Sequence, residues 1–100
     1  MDSKKHLLYE IRYTKAADKV LKAHEEIRAQ YEDAIRELLA GDHPEKVDVK
    51  RIKGKHSGYY RIRLGNYRVI YTVINGKIVV VSTLLAGPRG DVYKKMSGLK

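Results

Sequence analysis

The sequence predicts an α+β domain of order β-α-α-β-β-β, with two N-terminal helices packed on one face of a mainly antiparallel four-stranded sheet and a short C-terminal helical turn. Three observations carry this. Apolar residues recur at three-and-four spacing between Ala17 and Leu39, the period becomes two from Tyr59 onward, and the dipeptides Gly65-Asn66 and Asn75-Gly76 sit where tight hairpins turn. With 100 residues the chain can build one hydrophobic core, so residues 1–100 are expected to form a single domain.

The stretch "LLYEIRY", Leu7 to Tyr13, has the composition of a short strand. Thr14 then caps a first helix whose Ala17, Val20, Leu21 and His24 make one apolar stripe. A second helix carries Ile27, Tyr31, Ala34, Ile35, Leu38 and Leu39, with Gly41 where a left-handed C-cap belongs. Glu25, Glu26, Glu32, Asp33 and Glu37 form its solvated side. "GDHPEK" is a connecting loop, and Lys50 to Lys55 make a basic approach to the sheet. Strands are expected from Tyr59 to Leu64, Tyr67 to Ile74 and Lys77 to Leu85. Pro88, Arg89 and Gly90 end the last strand, and "DVYKKM" supplies the final turn.

Cysteine is absent, which excludes disulfides and thiolate metal sites. The apolar stretch after Lys4 and Lys5 is too short for a signal peptide, and no segment reaches the roughly 20 apolar residues that span a bilayer. A soluble cytoplasmic protein with no membrane partner is therefore the expectation. The net charge of +9 is unevenly placed: residues 1–48 hold nine Lys/Arg against eleven Asp/Glu, whereas residues 49–90 hold nine Lys/Arg and no acid. A one-sided positive field of this kind attracts polyanions, nucleic acid above all.

Two-residue turns fix which residues share a face. The Gly65-Asn66 turn sets Arg63 opposite Arg68 and Arg61 opposite Ile70, so Arg61, Arg63 and Arg68 lie together. Tyr60, Ile62, Leu64, Tyr67, Val69 and Tyr71 take the other face, which continues through Ile78, Val80 and Leu84 and receives the helices. Directly opposed like charges cost a sheet up to about 1 kcal/mol, and the segment offers no acid to relieve them. A plain solvated face is the structural alternative to the reading preferred here, an anion site. The Asn75-Gly76 turn sets Arg68 opposite Thr83, so "GPRGDVY" emerges beside the arginines and brings Arg89 and Tyr93 to the rim. Ile70, Ile74, Val79 and Val81 then form a partly apolar floor on the arginine face.

The segments "YYRIRLGNYRVIYTVINGKIVVV" and "GPRGDVYKK" resemble the RelE family of toxins within the RelE/ParE superfamily, and the element order agrees along nearly the whole chain. The resemblance implies a toxin of a type II toxin-antitoxin system. Its activity would be that of an endoribonuclease that enters the ribosomal A site and cuts mRNA, the ribose 2′-hydroxyl attacking the adjacent phosphate. It implies as partners a cognate antitoxin, the ribosome and mRNA, and it implies no cofactor or metal. The family's basic residues on the second strand fall here on Arg61 and Arg63, where Lys is often found. The Arg opening the third strand falls on Arg68, the Arg after the last strand on Arg89, and the C-terminal Tyr on Tyr93. Lys50, Arg51, Lys53, Lys55, Lys94 and Lys95 are expected to hold RNA or ribosomal phosphates.

Elementary chemistry fits these positions. Attack by an internal 2′-hydroxyl needs a proton acceptor, a proton donor to the leaving 5′-oxygen, and cations around a phosphorane of growing negative charge. Arginine does not deprotonate, so Arg61, Arg63, Arg68 and Arg89 can orient and stabilise but are poor bases. Tyr93 is the candidate base, its ionisation eased by neighbouring cations, with stacking on a nucleobase as its other role. His56 in "KGKHSGYY" is a second candidate acid or base and otherwise a loop residue, while His6, His24 and His43 are expected to be structural or exposed. Two other functions compete: a ParE-like inhibitor of DNA gyrase without nuclease chemistry, and a binding module whose arginines only hold phosphates.

Overall fold

Thr14 opens the first helix as its position predicts, and it does more than cap. Its hydroxyl accepts the Ala17 N–H at 3.1 Å and donates to the Leu84 carbonyl at 2.7 Å, while its own N–H donates to the Thr83 carbonyl at 3.0 Å. One residue thus ends a strand, starts a helix and ties both to the last strand.

The computed structural model describes residues 8–54 and 57–98, so the expectations for His6, Lys55 and His56 lie outside the described residues. The elements run β1 (Tyr9–Tyr13), α1 (Lys15–Ala23), α2 (Glu25–Ala40), β2 (Val49–Arg51), β3 (Tyr59–Leu64), β4 (Tyr67–Asn75), β5 (Val79–Pro88) and α3 (Arg89–Met96), with a 3-10 turn at Pro44–Lys46. The sheet order is β1-β5-β4-β3-β2, with β1 parallel to β5 and every other pair antiparallel. The α+β class and element order agree with the sequence, but the sheet has five strands among the described residues rather than four. The addition, β2, is three residues long and carries no periodicity of its own; the open edge of β3 makes it a strand.

Both helical stripes pack as predicted. Leu21 of α1 and Tyr31 and Ile35 of α2 are fully buried against Ile62, Val69, Tyr71, Val81 and Ala86, and Ala17 of α1 is fully buried as well. Gly41 closes α2, but not in the expected left-handed conformation: its φ of −88° and ψ of 174° are extended. A Cβ at this position would meet the Glu37 carboxylate, which folds back to accept the His43 N–H at 2.6 Å, so a larger residue would displace that carboxylate.

The β3–β4 hairpin has the predicted register, Arg63 opposite Arg68 and Leu64 opposite Tyr67. Gly65 takes φ +63°, the positive value that a II′ turn requires at its first central position. The second turn departs from expectation. A type I′ turn needs positive φ at both central residues, and neither Asn75 nor Gly76 has it, so the loop runs through Gly76, Lys77 and Ile78 and Asn75 pairs with Val79. This shift of an odd number of residues flips β5. Val79 and Val81 turn toward the helices rather than forming a floor beneath the arginines, while Ile78 is 38% exposed rather than in the core. A bulge then intervenes between the Ile70 and Tyr71 pairings, so Arg68 faces Gly87 and Thr83 faces Tyr71. Leu84 is the extra residue, and its carbonyl is the one that Thr14 satisfies.

The bulge gives the sheet a second covered surface. Beyond it Leu85 joins Ile70 on the face away from α1 and α2, and both are sealed by Val92 and Met96 of α3, with Ile52, Tyr59 and Leu84 packed around them. Gly87 lets α3 approach, since a Cβ there would stand 3.3 Å from Val92 Cγ2. The final helical turn predicted from "DVYKKM" is therefore an eight-residue helix that closes a small core of its own.

Candidate nucleic-acid interface

Strand alternation sorts the cations of β2, β3 and β4. Lys50 stands opposite Arg61, Arg61 opposite Ile70, and Arg63 opposite Arg68, so these four share the face on which α3 lies. Arg51 is paired with Tyr60, a residue of the helix-side core, and belongs to the other face. Lys53 is exposed just beyond β2.

The three arginines differ in their surroundings. Arg63 is half exposed and Arg61 mostly covered, with side-chain exposures of 54% and 15%. Both are paired with Asp48, an acid the sequence reading did not place near them. Arg61 Nη2 donates to Asp48 Oδ1 at 3.1 Å, and Arg63 Nε lies 2.6 Å from Asp48 Oδ2. The segment itself holds no acid, as expected, but Asp48 reaches the arginines from just before the neighbouring strand β2. The Arg63 N–H donates to the Asp48 carbonyl at 3.0 Å, extending the β2–β3 ladder by one position and setting Asp48 beside Arg63. The available signal was a single Asp before "VKR", legible only once those residues are known to be a strand.

Arg68 is only 6% exposed. Its Nη1 donates to the carbonyls of Gly65 at 2.8 Å and Tyr67 at 3.0 Å, which clamps the β3–β4 turn. The Nε atoms of Arg61 and Arg68 are buried with no hydrogen-bond partner among the described residues. A buried donor left unmatched costs roughly 1–3 kcal/mol, so both are high-energy positions that an added acceptor would relieve.

Helix α3 delivers the remaining candidates. The Arg89 N–H donates to the Asn66 carbonyl at 2.9 Å, which anchors the helix start on the β3–β4 turn and so beside Arg68. Arg89 and Tyr93 are four residues apart and share one flank of the helix. Both are exposed, Tyr93 at 44%. Lys94 projects outward, whereas Asp91 and Lys95 line a cavity of about 540 Å³ against Ala16, Lys19 and Val20 of α1. Lys95 therefore stands on the flank opposite Arg89 and Tyr93. Of the residues chosen from the sequence, the fold brings Lys50, Arg61, Arg63 and Arg68 to one face and Arg89 to its edge, and it separates Arg51 and Lys95 from them.

The ionisable groups on the helix side are occupied structurally. The Tyr31 hydroxyl lies 2.6 Å from Thr83 Oγ1, and burial raises its pKa well above the usual tyrosine value. Burial, aided by the nearby Tyr60, pushes Tyr71 up to about 12. Tyr13 is also raised, by burial first and then by its hydrogen bond to Glu32. His24 Nε2 lies 3.1 Å from the Tyr67 hydroxyl at the junction of α1 and α2, and the exposed His43 ring lies 3.2 Å from Glu45.

Comparison with known proteins places this architecture. The sequence profile of the family described as ParE toxin of type II toxin-antitoxin system, parDE, matches residues 4–88. Toxin RelE3 of Methanocaldococcus jannaschii is 50% identical over 40 residues, which span 40% of this chain and 43% of that protein. A chain of the RelB-RelE antitoxin-toxin complex from Methanococcus jannaschii is 32% identical and superposes with a TM-score of 0.58, over 83% of this chain and 95% of that one. YafQ from E. coli strain BL21(DE3), at 12% identity and a TM-score of 0.60 over 85% of this chain and 98% of its own, shares the fold.

Proposed function

This chain belongs to the RelE/ParE superfamily of toxins of type II toxin-antitoxin systems, and we propose that it is a ribosome-dependent endoribonuclease that cuts mRNA in the A site and halts translation. One observation carries the reading: a single sheet face gathers Lys50, Arg61, Arg63 and Arg68, and α3 is tied to the turn between two of them. In the cleavage step the 2′-hydroxyl, losing its proton, attacks the neighbouring phosphate to form a 2′,3′-cyclic phosphate, the bond from phosphorus to the 5′-oxygen breaks, and that oxygen takes up a proton from solvent. Arg61, Arg63 and Arg89 offset the charge that accumulates on the phosphorane oxygens, and Arg68 holds the turn that positions them. Tyr93, exposed on the flank it shares with Arg89, takes the proton from the 2′-hydroxyl. Lys50, Lys53 and Lys94 hold flanking phosphates. A cognate antitoxin neutralises the protein by covering this face with acidic and apolar residues, and the site of action is the cytoplasm.

A second reading, inhibition of DNA gyrase, is favoured by the family match itself, which is to ParE toxins. Cell-free translation with mapping of mRNA 5′ ends separates the two. Codon-positioned cuts support the nuclease. Intact mRNA together with blocked supercoiling by gyrase overturns it, and RNA binding without cuts leaves a binding module.

A further inference from the structure

Asp48 is an acid set into a basic face, and no step of the proposed chemistry uses it. Its backbone is held by the Arg63 N–H, so its side chain cannot drift along the strand. Its two carboxylate oxygens are divided between two guanidinium groups, Oδ1 with Arg61 and Oδ2 with Arg63. That is how two arginines would share the oxygens of a phosphate. Arg61 is mostly covered, which limits screening of its pair by solvent and salt, whereas the Asp48 side chain is 42% exposed and free to swing outward.

We propose that Asp48 is a built-in competitor for phosphate: its carboxylate occupies the Arg61–Arg63 fork in the free protein, and an RNA phosphate must displace it. The inference rests on the reading of this face as an RNA interface. Its consequence is selectivity. A loose RNA strand offers one phosphate at a time against a carboxylate that is always adjacent. A dense, pre-ordered array of phosphates engages Lys50, Lys53 and Arg89 as well and shifts the exchange in its favour.

The test is binding of an unstructured single-stranded oligoribonucleotide across a range of salt concentrations, by the parent protein, Asp48→Asn, Asp48→Glu and the double variant Arg61→Gln/Arg63→Gln, each checked for folding by circular dichroism. Asp48→Asn should bind roughly two- to fivefold tighter, the change that corresponds to releasing a partly exposed ion pair. Its plot of log affinity against log salt should be steeper by about 0.7 for each cation freed. Asp48→Glu restores the charge and should return toward the parent. Parental or weaker affinity of Asp48→Asn with an unchanged slope overturns the proposal while leaving the interface intact. Parental binding by the double arginine variant removes the RNA interface itself, and the competitor role with it.

Discussion

Arg68 is buried and Tyr93 is exposed, and they should fail differently when replaced. Arg68 is covered and clamps two turn carbonyls, so Arg68→Ala removes charged hydrogen bonds from a buried setting. A loss of about 1.5–3 kcal/mol in unfolding free energy is expected, read as a lower midpoint in urea. An unchanged midpoint together with lost toxicity would give Arg68 a direct role on the phosphate instead. Tyr93 is exposed, and Tyr93→Phe should leave stability within about 0.5 kcal/mol. If its hydroxyl accepts the proton, single-turnover cleavage on programmed ribosomes should slow by roughly 10²- to 10⁴-fold. Parental cleavage by Tyr93→Phe with a damaged Tyr93→Ala would assign the ring to stacking instead.

At the scale of elements, the alternation of β2 separates two adjacent cations that the sequence presents as one basic run. Lys50 lies on the arginine face and Arg51 on the opposite one. Lys50→Gln should reduce the salt slope of RNA binding by about 0.7, and Arg51→Gln should leave it near the parental value. Equal effects from both would mean that RNA wraps the β2 edge. Helix α3 is an element of the same kind. Its apolar side, Val92 and Met96, buries Ile70 and Leu85, while Arg89 and Tyr93 ride on a flank. The helix thus positions the site through a core that exists only because the β5 bulge turns Leu85 toward it.

For the whole molecule, the helix-side core is rich in tyrosines that ionise with difficulty, and this sets an alkaline limit. An unfolded tyrosine ionises near pH 10, whereas Tyr71 in the fold does so at about 12 and Tyr31 is raised by its burial. Between these values the unfolded chain has lost a proton that the folded chain keeps. Stability is therefore full below pH 10 and falls as pH rises above it, by about 1.4 kcal/mol per pH unit for each such group. Thermal melts from pH 8 to 12, followed with tyrosinate absorbance, should show the buried tyrosines ionising together with unfolding; ionisation well before unfolding would contradict this. The sequence by itself determined the α+β class, the helical stripes of Leu21 and Tyr31, the Thr14 cap and the pairing of Arg63 with Arg68, because each depends on local periodicity or on one turn whose glycine fixes its geometry. Tertiary structure alone decided the rest. The backbone dihedrals of Asn75 and Gly76 lengthened one turn, and the odd shift exchanged the faces of Val79 and Val81. A bulge then restored parity beyond Leu84 and created the seat of α3. Asp48 reached the arginines through a strand too short to carry a pattern, since in a sheet the identity of a neighbour is fixed by pairing across the chain, and pairing is a property of the assembled backbone.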